Sequence, residues 1–390
     1  LKSFVSEPCI TMADWDPFAD PADVAETESP AVTAAPAAAE KAPAAAETPA
    51  ETPEIAGAEV DSRQPLPTER FGGQFAFPLR TGGLLPAVGL GTWKIPPDAS
   101  KGVALKAIQL GYRHFDCARP YGNEKVLGEA FKEAIDKGLT KREELFITTK
   151  LWSSNHGTAK VPIGLNMSLK ALNCGYIDLF LIHLPDIAAA AAMGGVCPPL
   201  EETWAAMEKL VDEGKCRAIG VSNFSIRQLE RILKVARIAP AVNEVELHPY
   251  LPQQALLDFC KVQNILPLAY SPLGCSDGVG MLPYSHAGDQ LLKDSTVASV
   301  ASSSGRSPAQ VILRWALHRG YAVIPKSRNP GRLAENIDLF SWELTAAEFQ
   351  SVSDITRRER CLKMADCCGE KFPCKSPVDI FDDTEGLEGA

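Results

Sequence analysis

From about residue 75 onward, short runs of consecutive apolar residues alternate with stretches whose apolar positions recur every three or four residues. The runs are HFDCA, LFITTKL, IDLFLIH, CRAIGVSN, AVNEVELH, LPLAYSPL and YAVIPKS, several of them β-branched. Such runs predict strands buried on both faces of a sheet. Between them, EKVLGEAFKEAIDKG, PIGLNMSLKALNCG, LEETWAAMEKLVDEGK, SIRQLERILKVA, QQALLDFCKVQ and SPAQVILRWALHRG read as helices. In the first, Val126, Leu127, Ala130, Phe131 and Ala134 share one face. Gly138, Gly214 and Gly320 stand where left-handed C-caps end helices. Upstream, GGQFAFPLRTGGLLPAVGLGT predicts a short hairpin leading into a strand. With GLGT as the first strand, eight strands alternate with helices over roughly 260 residues, the size and order of a (β/α)8 barrel. A doubly wound nucleotide-binding fold would open its first helix with G-x-G-x-x-G. Here Gly89-Leu90-Gly91 runs into TWK with no third glycine. The expected fold is therefore α/β, a (β/α)8 TIM barrel with an N-terminal β-hairpin and a disordered N-terminal tail.

Composition changes the picture at the ends. Residues 1–60 hold 17 Ala, 8 Pro and 12 Asp/Glu against only Lys2 and Lys41. Too little large apolar surface is present there to offset the entropy of ordering. The segment reads as a tail or linker, with a partner-binding arm through Trp15 and Phe18 as the alternative. The expected organisation is a tail over 1–70, a barrel over 71–358 and a Cys-containing C-terminal tail or substrate loop over 359–390. The net charge of −10 belongs to the first segment, and the remaining 330 residues carry 37 charges of each sign. A general nucleic-acid binder should show a basic domain, so no nucleic-acid partner is expected. No run of 18 apolar residues occurs, so no membrane span is expected. The chain opens on Leu1 rather than Met, which leaves an upstream targeting segment open; the acidic segment present lacks the Arg- and Ser-rich makeup of transit peptides. Seven scattered cysteines (Cys9, Cys117, Cys174, Cys197, Cys216, Cys260 and Cys275) suit buried thiols in a reducing compartment, and a cytoplasmic monomer is expected.

Four polar residues fall at or just past consecutive strand ends, where barrels of this kind gather their sites. They are Asp116 and Tyr121 in GYRHFDCARPYGNE, Lys150 closing FITTK, and His183 closing DLFLIH. Taken singly they read as a helix cap, a wet-edge aromatic, a surface lysine and a satisfied histidine. Together they allow a specific chemistry. A tyrosine of ordinary pKa near ~10 becomes a better proton donor when a cation lowers that value. Lys150 would supply the cation, Asp116 would keep it charged and aimed, and His183 would hydrogen-bond a carbonyl oxygen. That set protonates the alkoxide formed when hydride reaches a carbonyl carbon. The hydride itself requires a cofactor.

GYRHFDCARPYGNE, the strand ends KLW and LIH, IGVSNFS, ELHPYLPQ, AYSPLG and IPKSRNPGRLAENI resemble the aldo-keto reductase superfamily, in order and spacing, over about residues 75–355. The resemblance implies that Asp116, Tyr121, Lys150 and His183 form that family's catalytic tetrad, with Tyr121 as general acid/base. It implies NADP(H) bound in extended form. Ser222 and Asn223 match the pair that bonds the nicotinamide carboxamide, and Tyr270 the aromatic that stacks on its ring. Ser271 and Leu273 match pyrophosphate contacts. Lys326, Ser327 and Arg332 match the 2′-phosphate grip, with Glu335 and Asn336 at the adenine. Trp93 and Trp152, with His183, imply an apolar substrate pocket for a small carbonyl or sugar, and no metal is implied.

Three departures stand out. Glu244 occupies the strand position where the family usually carries a Gln facing the carboxamide. Ionised, it would favour the positively charged oxidised nicotinamide and weaken the hold on NADPH. Leu184 follows His183 where relatives often place an aromatic. Cys361, Cys367, Cys368 and Cys374 form a C-x5-C-C-x5-C tail that reads as incidental thiols, a redox switch or, least well by spacing, a zinc site. The long GCSDGVGMLPYSHAGDQ loop suits a mobile flap over the cofactor or a plain insertion. The expected function is an NADP(H)-dependent aldehyde, ketone or aldose reductase. A cofactor-binding regulatory or structural subunit is the alternative, and a metal-dependent barrel hydrolase lacks the strand-end ligands.

Overall fold

The computed structural model describes residues 61–186, 197–275 and 290–363, together with Ser376 and Phe381. The Ala/Pro-rich segment 1–60, most of the expected flap, and Cys367, Cys368 and Cys374 lie outside the described residues.

Three short strands come first: β1 (Glu69–Phe71), β2 (Gln74–Pro78) and β3 (Leu84–Pro86), paired antiparallel in that order. The predicted hairpin is β2–β3, and β1 adds a third strand to it. Eight more strands follow: β4 (Gly89–Gly91), β5 (His114–Asp116), β6 (Phe146–Leu151), β7 (Ile177–Ile182), β8 (Cys216–Ser222), β9 (Val242–Glu246), β10 (Leu266–Tyr270) and β11 (Ala322–Val323). They pair in parallel in strict chain order. A parallel bridge between Val88 and Val323 and the Val323 N–H donating to the Ala87 carbonyl at 3.0 Å close the ring. The result is the expected (β/α)8 TIM barrel.

Helices α1 (Pro97–Gln109), α2 (Glu124–Asp136), α3 (Val161–Leu172), α4 (Leu200–Asp212), α5 (Ile226–Leu233), α6 (Gln254–Val262), α7 (Ser295–Ser304), α8 (Pro308–His318), α9 (Pro330–Ile337) and α10 (Ala346–Ser353) connect and follow the strands. Several begin where local chemistry dictates. Ser225 with Gln228, Ser307 with Gln310, and Thr345 with Glu348 each form a reciprocal capping box. The apolar pattern does not single out α1, because its buried face (Ser100, Val103, Ala104, Ala107, Ile108) is built largely from small residues. Among the described residues no helix is long and apolar enough to cross a membrane.

Both expected boundaries fall inside the folded body. Residues 61–70 were expected in the tail, yet the Gln64 N–H donates to the His318 carbonyl at 2.6 Å and Arg63 donates to the Leu344 carbonyl at 2.5 Å. The Ala-rich composition ends before this stretch, and Leu66 packs on the core. At the other end, the Glu359 N–H donates to Tyr250, and Cys361 and Leu362 are buried.

Gly89 and Gly91 are required by the closure itself. A Cβ on Gly91 would lie 2.7 Å from the Ile324 carbonyl oxygen, and one on Gly89 would lie 2.5 Å from His114 Nδ1. The Gly91→Ala substitution is therefore expected to cost about 1–3 kcal/mol through overpacking, read as a lower urea midpoint. An unchanged midpoint would show that β4 and β11 do not approach this closely.

Candidate active site

The C-terminal strand ends carry the polar residues. Asp116 ends β5, and its carbonyl accepts from both the Thr92 hydroxyl (2.7 Å) and the Thr92 N–H (3.1 Å). The Asn123 side chain donates to the Thr92 and Ile95 carbonyls at 2.9 and 3.1 Å, bracing the loop that carries half-buried Trp93. Tyr121 sits in a single 3-10 turn, Arg119–Tyr121, that Gly122 ends in a left-handed conformation (φ 72°). Lys150 lies on β6, and His183 follows β7 with its N–H on the Leu151 carbonyl at 3.1 Å.

These four side chains converge. Lys150 Nζ donates to Asp116, to the Cys117 carbonyl at 3.3 Å and to the Tyr121 hydroxyl oxygen at 3.3 Å. Glu244 Oε1, reaching across the barrel interior from β9, lies 3.3 Å from the same nitrogen. An ammonium has three hydrogens, so four acceptors compete for them. Asp116, Lys150 and Glu244 are each only 2% exposed. Burial alone would make Lys150 shed its proton, but Asp116 and Glu244 outweigh that and hold it charged, well above the usual lysine range. Burial raises Asp116 above the ordinary carboxylate range while Lys150 pulls it back. Glu244 is pushed up to about 8, first by burial and then by the Asp116 carboxylate. Its Oε2 has no donor among the described residues. Interaction between the two carboxyls lowers Asp116 and raises Glu244, which favours the proton on Glu244.

Two expectations change here. Burial pushes the Tyr121 phenol up, and the Asp116 and Glu244 carboxylates add to that against the downward pull of Lys150. The expected acidified phenol is thus held protonated, because burial outweighs the pull of the Lys150 charge and the neighbouring carboxyls add to it. The effect expected of Glu244 on the nicotinamide depended on its being ionised; its place beside the Lys150–Asp116 pair and its burial favour the protonated form instead.

His183 is held neutral by burial and by the Lys150 charge. Its ring stands edge-on to Tyr121 (centroids 6.0 Å apart, 85°) and to Trp152 (5.2 Å, 68°). Buried Leu184 follows it. Asn223, past the end of β8, adopts a left-handed φ of 63°. Its amide donates to the His183 carbonyl (3.0 Å) and to Ser222 Oγ (3.1 Å), and accepts from the Tyr270 hydroxyl (2.8 Å). Asn223 therefore locks three of the other expected site residues together. Ser271, at φ 45°, turns the chain after β10 in the same way, with half-buried Leu273 close behind. A cavity of about 230 Å3 lies beside Asn223 and Tyr270, its wall completed by Phe224, Ile226, Arg360 and Phe381.

The expected phosphate grip lies past β11. Lys326 is half-buried, Ser327 buried and Arg332 exposed at the start of α9, where Asn329 caps the Gly331 and Arg332 N–H groups. Glu335 is exposed and Asn336 buried further along that helix. Nothing in the sequence pattern pointed to a further cluster formed by Glu246, His248 and Cys361. Glu246 accepts from the Cys361 N–H (2.6 Å), the Leu362 N–H (2.8 Å) and His248 Nε2 (2.9 Å). Burial works against its charge, but His248, Arg360 and the Cys361 N–H outweigh it and keep the carboxylate below its ordinary range. With its oxygens so engaged and the Cys361 thiol pushed up by burial, the trio is a tether that fixes the chain after α10 to the end of β9.

Residues 87–357 match the aldo/keto reductase family. The chain is 46% identical over 293 residues to a Synechocystis sp. aldo/keto reductase, covering 73% of this chain and 89% of that protein. It is 41% identical over 284 residues to Arabidopsis thaliana aldo-keto reductase family 4 member C11 (72% and 88%) and 39% identical over 307 residues to human aldo-keto reductase family 1 member A1 (76% and 94%).

Replacing Lys150 by Met leaves two buried carboxyls without their cation. The expected loss is about 3–5 kcal/mol of unfolding free energy at neutral pH, partly recovered in Lys150→Met/Asp116→Asn. Additive losses in the double variant would contradict the shared ion pair.

Proposed function

The chain belongs to the aldo/keto reductase family, and we propose that it is an NADP(H)-dependent oxidoreductase that interconverts an aldehyde, ketone or aldose with the corresponding alcohol. The observation that carries this reading is the buried Asp116–Lys150–Tyr121 chain with a neutral His183 beside the phenol.

The residues present fit a nicotinamide dinucleotide. Ser222 and Asn223 at the end of β8 offer hydroxyl and amide groups, while the Tyr270 ring is fixed through its hydroxyl on Asn223 and flanks the cavity there. Ser271 and Leu273 follow Tyr270 in the chain and would meet the pyrophosphate. Lys326, Ser327 and Arg332 surround the N-terminus of α9, where cations and a helix end both favour a phosphate, and a 2′-phosphate in particular. Glu335 and Asn336 extend the same edge toward an adenine. When bound, such a dinucleotide supplies or takes up the hydride.

The protein's own residues handle the proton and the geometry. A carbonyl oxygen in the cleft accepts hydrogen bonds from Tyr121 and from the protonated nitrogen of neutral His183. As negative charge builds on that oxygen, Tyr121 gives up its proton, and the Lys150 ammonium 3.3 Å away stabilises the phenolate left behind. A phenol held protonated by burial is already in the form that reduction needs at neutral pH. The reverse direction needs the phenolate and is favoured as pH rises. Trp152 beside His183, with Trp93 as the resemblance implies, would give the cleft an apolar wall suited to small aldehydes and sugar-type carbonyls with few polar contacts.

Purified protein is expected to oxidise NADPH with members of an aldehyde and aldose panel. Tyr121→Phe should lower kcat by roughly 10²- to 10⁴-fold while leaving the NADPH Kd unchanged. Tight NADPH binding by the wild-type protein with no turnover across the panel would instead favour the cofactor-binding subunit. Removing Lys326 or Arg332 should weaken NADPH binding by roughly tenfold to a hundredfold per side chain and leave NADH binding nearly unchanged. Equal losses for both dinucleotides would contradict a 2′-phosphate grip.

A further inference from the structure

Lys150 is a single buried cation facing two carboxyls from opposite parts of the barrel wall, Asp116 on β5 and Glu244 on β9. If both carboxyls were ionised, the buried trio would carry a net negative charge in a region of low dielectric, and Glu244 Oε2 would remain without a donor. One retained proton resolves both problems: it neutralises Glu244 and gives it a hydrogen to donate to Asp116. Resting on the functional reading above, we propose that Glu244 is a positioning residue of the proton-transfer apparatus, whose protonated carboxyl bridges Asp116 and Lys150 and whose ionisation turns Lys150 away from supporting Tyr121.

The charged and titratable groups facing Glu244 come from every side of the interior. They are Asp116 at the end of β5, Tyr121 on the turn that follows and Lys150 on β6, with Cys117 and His183 next to Lys150. Its β8 register partner Ser222 and its β10 partner Leu268 add no charge. Cys117 is held as the thiol and His183 as the neutral ring, both largely by burial. The exchangeable charge near Tyr121 therefore resides in the Asp116–Glu244 pair, which titrates as a unit. Loss of its shared proton adds a negative charge that raises the free energy of the Tyr121 phenolate and gives Lys150 a second full anion to serve. Proton donation by Tyr121 then becomes harder. Gln at position 244 reproduces the protonated form, accepting from Lys150 and donating to Asp116, and it cannot ionise.

The test compares kcat for carbonyl reduction from pH 5.5 to 10, each profile normalised to its own maximum, in the wild type, Glu244→Gln and Glu244→Asp. Wild type should lose activity as pH rises through about 8, approaching tenfold per pH unit. Glu244→Gln should extend its plateau, while Glu244→Asp should keep an alkaline fall because it retains a titrating carboxyl. Infrared spectra of the ligand-free protein supply a readout that does not depend on turnover. A carboxylic-acid C=O stretch should be present in wild type at pH 6, fade across the same pH range, and be missing from Glu244→Gln. Superimposable normalised profiles for wild type and Glu244→Gln would overturn the proposal, as would an infrared band unaffected by that substitution. If the wild type turns over no substrate, the functional reading fails, and the infrared measurement still decides whether Glu244 holds the proton.

Discussion

A charged lysine amine in the middle of a barrel wall is expensive unless its surroundings return what water provided. Lys150 is surrounded by four acceptors, two of them carboxyl groups, and every other group in the cleft adjusts to that arrangement. Its charge adds to burial in keeping His183 neutral, contacts the Tyr121 hydroxyl and opposes the effect of burial on Asp116. The same charge pulls the phenol down but is outweighed by burial, so Tyr121 rests as a proton donor.

The barrel makes this convergence possible because its strands bring residues far apart in sequence to one interior layer. Asp116 and Glu244 are separated by half the folded chain, yet both reach the same nitrogen. Strand ends alone do not aim side chains well. Asn223 and Ser271 turn the backbone through left-handed conformations immediately after β8 and β10, a cost that such sites tolerate where surrounding bonds enforce it. Asn223 has those bonds: its amide ties His183, Ser222 and Tyr270 into one unit. At the far side of the cleft, Glu246 holds the incoming C-terminal segment through two backbone N–H groups, closing the wall with residues remote from the catalytic motifs.

Much of this was legible before any coordinates. Apolar runs of strand length gave the barrel, and Asp116, Tyr121, Lys150 and His183 stood out because they close or follow consecutive runs. The gaps have physical causes. Helix α1 buries mainly small residues and so leaves a faint periodic trace. The folded body begins before residue 70 because Leu66 and the Gln64 backbone find partners that no local pattern announces. Residue types could not reveal that Glu244 meets Lys150 and Asp116, since that contact depends on which side chains cross the barrel interior. Nor could they weigh burial against a neighbouring cation, which reversed the expectation for the phenol.

The central claim is that Lys150 remains an ammonium because two carboxyls hold its proton. The direct measurement is an NMR titration of lysine Nζ in ¹⁵N-labelled wild-type protein. The account predicts that the Lys150 signal stays in the ammonium form through the range near ~10.4 where exposed lysines lose their protons. A Lys150 amine that titrates below its exposed counterparts would contradict it.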